Sequence, residues 1–553
     1  MKNFRLKIVV IFLIIPMLLA AQSVSVPKYE YRAVWLTTVE NLDWPKTIIR
    51  QPSDITEQKN ELIVLLDSLK GMNVNTIMFQ TRVRGDVVYP SSIEPFSHVL
   101  TGVSGKNPGY DPLAFAIDEC HKRGMQLHAW IVTMPLGKDN HIRRMGKNAL
   151  PKKKSALCTH YKGEWFMEPG NPAVAPYLVE LVQEIVSRYN IDGIHFDYIR
   201  YPDRTNGYPD SRLYQKHGKG SSLASWRRAN ITAIASALYK CVKELKPWVR
   251  VSCAPLGKYD DLTRYRSFGW DAYNAVFQDA QAWLRDNIMD ALFPMLYFNG
   301  NNFYPFVLDW QENSYGRHIV PGIGIYRLMS QYGGWSQLEI ERQLSTSRSA
   351  GTAGTAIFRA EQLLGIGAGV YSKAYSKPAL VPPMDWACEA PQSPSNLKVA
   401  RDKDGFSITW DSVASMCGHP AVKYNIYGSL GDTVNVDDID NLLLSGLDSL
   451  SYRWDCRTFD GVAIAVTAVN AYGLESNPAR LLQPSEKSLV DTLHFPEFTG
   501  KGHLVKVLDK YGRLQHTGQY RRKFSVTGLK SGCYSVTVYD RHGAVVYQTR
   551  FMK

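Results

Sequence analysis

Eight short, almost continuously apolar runs recur between residues 31 and 359: YRAVWLT (31–37), NTIMFQT (75–81), QLHAWIV (126–132), DGIHFD (192–197), VRVSCAP (249–255), DALFPMLY (290–297), HIVPGIGI (318–325) and GTAIFR (354–359). A strand with one wet face alternates polar and apolar side chains. A run without alternation needs cover on both faces, as parallel strands flanked by helices have. Amphipathic stretches fill the intervals. EQKNELIVLLDSLKGM sets Leu62, Leu65, Leu66 and Leu69 on one helical face, with Gly71 just past its end. DPLAFAIDECHKRGM opens with Asp111 as a cap and Pro112 in the first turn, and closes at Gly124. NPAVAPYLVELVQEIVSRY repeats the device with Asn171 and Pro172. Eight strand–helix units predict an α/β chain with a (β/α)8 TIM barrel over residues 28–387. The competing doubly wound sheet needs a glycine-rich phosphate turn after its first strand, and YRAVWLTTVENLDWP has none.

The pattern changes at APQSPSNLKV (390–399), a Pro/Ser-rich linker. Beyond it, SITWDSV, VKYNIYGS and SYRWDC alternate with period two and are punctuated by turn residues, predicting two small all-β domains at 391–482 and 487–553. Trp410, Tyr424 and AVTAVNAYGLES (465–476) fall in the order of a fibronectin type III module, which the first of these domains resembles. The second, with HLVKVLDKYGRL and GCYSVTVYDRHGAVVYQTRFMK, resembles the small C-terminal β-domains that some exported bacterial proteins use for sorting; an Ig-like accessory domain is the alternative.

At 553 residues the chain is too long for a single core. Lys2, Arg5 and Lys7 precede an apolar run from Ile8 to Leu19 and the sequence LAAQS. This is the form of a secretory signal peptide cleaved near Ala21, giving a mature chain exported to the periplasm or the cell surface. No cysteine stands at the cleavage point for a lipid anchor, and no later stretch is long and apolar enough for a transmembrane segment. The net charge of +13 is spread out, with one tight run at Lys152–Lys154 and no nucleic-acid reading motif, so the expected partner is a carbohydrate polymer and not a nucleic acid. The eight cysteines show no CxxC pair. No HxH or HExxH spacing occurs either, so neither a metal nor a cofactor is expected. Export permits disulfides, Cys417–Cys456 among the candidate pairs.

In such a barrel the residues just after the strands meet at one mouth. The first strand end offers Asn41 and Asp43, the second Gln80, Arg82 and Asp86; the third strand carries His128 and Trp130, and the fourth ends in His195, Asp197, Arg200 and Tyr201. Later ends supply Tyr297, Tyr326, Arg359 and Glu361. Acids and amides bind hydroxyls while aromatic faces stack on sugar rings, so this set suits a carbohydrate. Glycoside hydrolysis usually employs two carboxyl groups, one to protonate the leaving oxygen and one to attack or activate water. Asp197 ends a buried strand, where its position is rigid, and is the first candidate; Asp86 and Glu361 are candidates for the second. No GxSxG supports a serine hydrolase.

The segments YRAVWLTTVENLDWP (31–45), FQTRVRGDVVYPSSIEPFSHVLTG (79–102), GYDPLAFAIDECHKRGMQLHAW (109–130), PGNPAVAPYLVELVQEIVSRYNIDGIHFDYIRYP (169–202) and AVFQDAQAWLRDNIMDALFPMLYF (275–298) resemble the glycosyl-hydrolase-like 10 family over about residues 28–380. The resemblance implies a TIM-barrel glycosidase exported by bacteria, in a family with members acting on peptidoglycan strands stripped of stem peptides. It draws attention to Trp35, Asp43, Gln80, Arg82, Asp86, His128, Trp130, Asp197, Tyr201 and Tyr297. Two segments depart from it. Many relatives read FDDYFYP where this chain has FDYIRYP, with Tyr198 after Asp197, and HAWLNPYR where it has HAWIVTMPLG. The expectation is therefore an exported glycoside hydrolase of cell-wall glycan. A hydrolase of dietary or host polysaccharide and an inert glycan-binding protein are the rivals.

Overall fold

In the computed structural model, described residues are 26–218, 220–401, 406–414, 417–418, 422–430, 433–454, 462–481, 492–495, 503–509, 513–530, 533–540, 543 and 545–553. Residues 1–21, read from sequence as a signal peptide, and Cys456 lie outside them. The apolar runs become parallel strands β1 (Tyr31–Leu36), β2 (Thr76–Arg82), β3 (Gln126–Val132), β4 (Gly193–Asp197), β5 (Arg250–Ala254), β6 (Ala291–Leu292), β7 (His318–Ile319 and Gly322–Gly324) and β8 (Gly354–Phe358). Nine hydrogen-bonded segments result because β7 is split around Val320 and Pro321. Its first half pairs with β6 and its second with β8, while β8 pairs with β1. Backbone bonds bridge the split: Val320 N–H donates to Leu292 at 2.9 Å, and the Pro321 carbonyl accepts from Ala356 at 3.0 Å. Pro321 has no N–H to give, so the ladder breaks there without opening the ring. The sheet is thereby curled into a closed barrel.

Helices Pro52–Gly71, Pro112–Lys122, Val174–Arg188, Leu223–Leu245, Ala280–Arg285, Tyr304–Glu312, Gln337–Ser349 and Ala368–Ala374 follow β1 to β8 in turn. Asp111 caps the second of them by accepting from the Leu113 and Ala114 amides. The first differs from its expected span: it starts at Pro52 after a capping pair between Gln51 and Asp54, and Gly71 is its last residue. Leu62, Leu66 and Leu69 bury the face turned to the strands. Inside the ring, Tyr31, Ala33, Trp35, Met78, Trp130 and Phe293 form a second apolar layer. Between β3 and its helix the chain inserts an antiparallel sheet of Pro135–Lys138, Glu164–Met167 and Cys158–Tyr161.

Small antiparallel sheets follow the barrel. Three strands (Lys398–Arg401, Phe406–Thr409, Ser451–Trp454) and four (Leu442–Leu447, Lys423–Leu430, Val462–Val469, Ala479–Leu481) share a core of Ile408, Trp410, Tyr424, Ile426 and Val466. The last part holds the sheet Leu514–Gln519, Leu504–Asp509, Cys533–Tyr539, Val545–Met552 and the pair Thr492–His494 with Lys523–Ser525. Cys417 is bonded to Cys388, with their Cα atoms 6.2 Å apart, which replaces the pairing of Cys417 with Cys456 considered from sequence.

The first of these units, around Glu475 and Tyr472, touches the barrel at the strands' N-terminal ends, away from the mouth. Glu475 forms a buried ion pair with Lys28 and accepts from the hydroxyls of Tyr29 (2.7 Å), Tyr427 (2.6 Å) and Thr467 (2.8 Å) and the Asn425 amide (2.6 Å). Burial pushes its carboxyl pKa up, but these partners outweigh it and hold the group below the ordinary value. A depressed folded-state pKa contributes stability at neutral pH that is lost as pH falls through it. Glu475→Ala takes from the largely buried Lys28 its close partner and leaves it the exposed Asp437 at 3.9 Å, so unfolding free energy at pH 7 should fall by about 3 kcal/mol, measured by chemical denaturation.

Candidate active site

A cavity of about 820 Å³ opens at the C-terminal ends of the strands, walled on one side by the inserted sheet after β3. Among its lining residues, Trp35, Gln80, Trp130, Asp197 and Phe358 come from or adjoin barrel strands, and Tyr297 from the segment after β6. Tyr161, Lys162, Glu164 and Phe166 come from the inserted sheet. Trp35, Tyr297 and Phe358 pack edge-on or tilted, with Trp35–Phe358 centroids 6.1 Å apart and Tyr297–Phe358 centroids 5.5 Å apart. The result is a largely aromatic box at the floor.

Asp197 is the carboxyl group set into this box, 5% exposed. Its backbone carbonyl accepts from both the amide and the hydroxyl of Thr133 at 2.9 Å, which ties it to the end of β3. Trp130 Nε1–H donates to Oδ2 at 3.1 Å and the Tyr198 amide donates to Oδ1 at 2.7 Å. Burial raises its pKa from 3.8 to about 6, against the opposing pull of Arg200 and these two hydrogen bonds. A carboxyl group with such a pKa carries its proton into the mildly acidic range and can give it up there, as a general acid must.

The box is oriented from below by His195. Trp35 Nε1–H donates to His195 Nε2 at 3.1 Å, so Nε2 is the unprotonated nitrogen. Nδ1 then carries the hydrogen and faces Ser252 Oγ at 2.9 Å. Burial holds the imidazole pKa well below 6.5, which keeps it neutral. His128, next to Gln126 at 3.2 Å, is likewise fully buried, with its pKa pushed down to about 3 by burial. Both histidines were expected among the sugar contacts. Neither reaches the cavity lining; His195 instead positions Trp35.

Of the residues singled out from sequence, the cavity brings together Trp35, Gln80, Trp130, Asp197, Arg200, Tyr201 and Tyr297. Gln80 spends its side-chain oxygen on the Thr38 and Val39 amides at 2.8 Å, which fixes the loop after β1. The Tyr201 hydroxyl oxygen accepts from the Asn230 side-chain amide at 3.2 Å, and the residue is fully buried. The remaining residues lie outside the lining. Arg82 is buried against Glu94 in a two-pronged pair at 2.7 Å and also donates to the Val132 and Thr133 carbonyls, so its guanidinium clamps strands and meets no ligand. Asn41 braces the Pro45 and Val99 carbonyls. Tyr326 packs edge-on against Tyr297 at 5.9 Å, one layer out.

Asp43 and Arg359 form a knot joining the loops after β1 and β8, in which Asp43 accepts from Thr37, Arg359 and the Glu361 amide. Glu361 pairs with Arg359 at 3.0 Å and Lys46 at 3.4 Å, with its side chain half exposed. Burial pushes its pKa up, yet Arg359 and Lys46 together outweigh it and lower the pKa. Asp86 is fully buried. Burial alone would raise its pKa, but His98, His141, the Arg84 amide and Ser97 together depress it. Both acids are therefore held ionised away from the cavity, a poor arrangement for the second carboxylate that sequence suggested.

Two carboxylates other than Asp197 line the cavity: Asp203, ion-paired to Arg200, and Glu164, for which no ion pair occurs among the described residues. Glu164 escaped the strand–helix reading because it sits on an insertion. Its signal was the two-residue turn in HYKGEW: Lys162 and Gly163 both take positive φ (51° and 80°), the hairpin turn that a glycine in second position favours. Lys138, Lys162, Arg84 and Arg204 add a basic rim.

The model of the family described as glycosyl hydrolase-like 10 matches residues 30–329. Glycosyl hydrolase YngK of Bacillus subtilis (strain 168) is 33% identical over 405 residues, 68% of this chain and 78% of that protein. Glycosyl hydrolase DigH of Escherichia coli (strain K12) is 33% identical over 286 residues, 48% of this chain and 65% of that protein, just under two thirds of its length. Among solved structures, the glycoside hydrolase domain of PgaB from Bordetella bronchiseptica overlaps 61% of this chain and 98% of its own at 14% identity and a TM-score of 0.42. With more than half its length matched by the family model, and a relative at 33% identity covered over most of that relative's length, this chain belongs to the glycosyl hydrolase-like 10 family.

Proposed function

We propose that this protein is an exported glycoside hydrolase that cleaves O-glycosidic bonds in bacterial cell-wall glycan, with Asp197 as the proton donor. The observation that carries this reading is a single buried carboxyl group, pKa about 6, set in an aromatic box at the mouth of the barrel. The aromatic faces take up sugar rings. Asp197 protonates the departing glycosidic oxygen as the bond to the anomeric carbon breaks. Water adds its oxygen to that carbon, and Glu164 is the pocket acid we assign to receive the water's proton. The basic rim and the net charge of +13 favour an anionic strand, such as peptidoglycan glycan stripped of peptide, whose muramyl residues carry free carboxylates.

Export rests on the residue pattern of positions 1–21. We read 28–387 as the catalytic unit, 391–482 as a fibronectin type III-like spacer and 487–553 as a further β-domain with a sorting role. Trp410 packed at a tilt against Tyr424, with centroids 5.3 Å apart, supports the spacer reading.

Purified, peptide-free peptidoglycan strands, run beside plant and host polysaccharides, give the direct assay. Asp197→Asn should lower kcat on the preferred glycan by about 100- to 10,000-fold. Undiminished turnover in that variant removes Asp197 from the role. If the wild-type chain binds glycan and turns none over, the protein is a glycan-binding protein and not an enzyme.

The active form of Asp197 is protonated, so kcat should fall about tenfold per pH unit above roughly 6. This limb should vanish in the residual activity of Asp197→Asn. Stability follows the same ionisation. With the folded-state pKa raised from 3.8 to about 6, the advantage of the neutral buried carboxyl is complete below 3.8 and lost as pH rises through 6. Denaturation at pH 8 should therefore find Asp197→Asn more stable than wild type by up to about 3 kcal/mol.

Glu164→Gln should cut kcat at least about tenfold, while Glu361→Gln changes it less than that. The reverse ranking would return the second role to the loop after β8.

A further inference from the structure

The loop after β5 holds Phe268 and Trp270 in water, 55% and 44% exposed. Isolated exposed aromatics are ordinary on protein surfaces. These are unusual in being carried on a braced backbone. Lys258 Nζ donates to the Phe268 carbonyl at 2.6 Å, the Gly269 amide donates to Asp261 Oδ1 at 2.9 Å, and the Leu262 and Ala272 amides close the loop on Ser267 and Lys258. The backbone that carries the two rings is therefore held in place.

Trp270 is also continuous with the cavity. The Arg200 guanidinium lies 6.0 Å from the Trp270 ring centroid and 4.6 Å from that of Tyr198. Arg200 and Tyr198 both line the cavity. Arg200 is 4% exposed and ion-paired to Asp203, so the plane between the two rings is filled and held. Tyr198 takes φ of +53°, a left-handed conformation that costs a bulky side chain energy, and it stays 40% exposed. Its amide is fixed there by the bond to Asp197. A row of flat groups thus runs from the loop, through Arg200, to the residue beside the candidate proton donor.

We propose that Trp270, with Phe268 and Tyr198, forms a stacking subsite for further pyranose units of the glycan that occupies the cavity, so that the site takes a strand of several sugars and not a terminal unit alone. The chemistry is the apolar C–H face of a pyranose on an aromatic ring, which needs no particular hydroxyl pattern and suits a repeating polymer. The inference rests on the carbohydrate reading above.

The test measures binding and hydrolysis of peptide-free peptidoglycan fragments of graded length, from the disaccharide upward, by the full chain and by Trp270→Ala, Phe268→Ala and Trp270→Phe. In wild type, affinity should rise with length. Trp270→Ala should weaken binding of long fragments about tenfold and leave the affinity and turnover of the shortest unchanged, and Trp270→Phe should restore most of the loss. Equal loss on short and long fragments, no loss at all, or affinity independent of length in wild type overturns the subsite. Length-dependent binding with no turnover in wild type removes the hydrolase reading and leaves the subsite standing. Length-independent cleavage does the reverse.

Discussion

Closure of the strand ring at β7 is the constraint on which the site depends. A parallel strand must give and take hydrogen bonds on both sides, and Pro321 cannot give one. The chain meets this by dividing the work: His318–Ile319 serves β6, Gly322–Gly324 serves β8, and the Pro321 carbonyl still accepts from Ala356. An open sheet would spread its strand ends along a line. The closed ring turns them to one mouth, which is why Trp35, Trp130, Asp197 and Phe358, up to 323 positions apart in sequence, line one cavity.

Within that ring, polarity is graded along the strands. The lower interior holds neutral imidazoles, His128 and His195, whose burial suppresses their charge. Above them the aromatic box desolvates Asp197 without supplying a cation close enough to cancel the cost, since Arg200 is engaged by Asp203. Asp86 shows the opposite outcome under equal burial: four polar neighbours hold it ionised. The same side chain thus has two chemistries, set by which partners its neighbourhood provides.

Much of this was legible in the sequence. The apolar runs correspond to the barrel strands, because a parallel strand covered on both faces leaves so plain a signature. Asp197, Trp130 and Tyr297 could be found because each stands at or near the polar end of such a run. Arg82, His128 and His195 misled because a polar residue inside a strand can face either the mouth or a buried partner, and the partner (Glu94 for Arg82) comes from a distant loop. Glu164, Lys138 and Lys162 lie on an insertion with its own period, so a strand–helix reading passes over them. The family model stops at 329, yet the barrel is completed only by β8 at Gly354–Phe358, so the fold extends beyond the residues that the family model matches.

The anchoring of Lys28 and Tyr29 to Glu475 bears on how the molecule is made. β1 cannot be hydrogen-bonded on both edges until β8 has been synthesised, and the segment before it is not fixed until a residue 446 positions beyond Tyr29 arrives. Contacts of such sequence separation carry a large loop-closure cost and slow folding. β1 can pair early with β2, but its other edge therefore waits unpaired until β8 is made, and the segment before it waits longer still. The strand ring thus closes when β8 (Gly354–Phe358) is made, and the segment before β1 is pinned only later, by a residue of the trailing sheets.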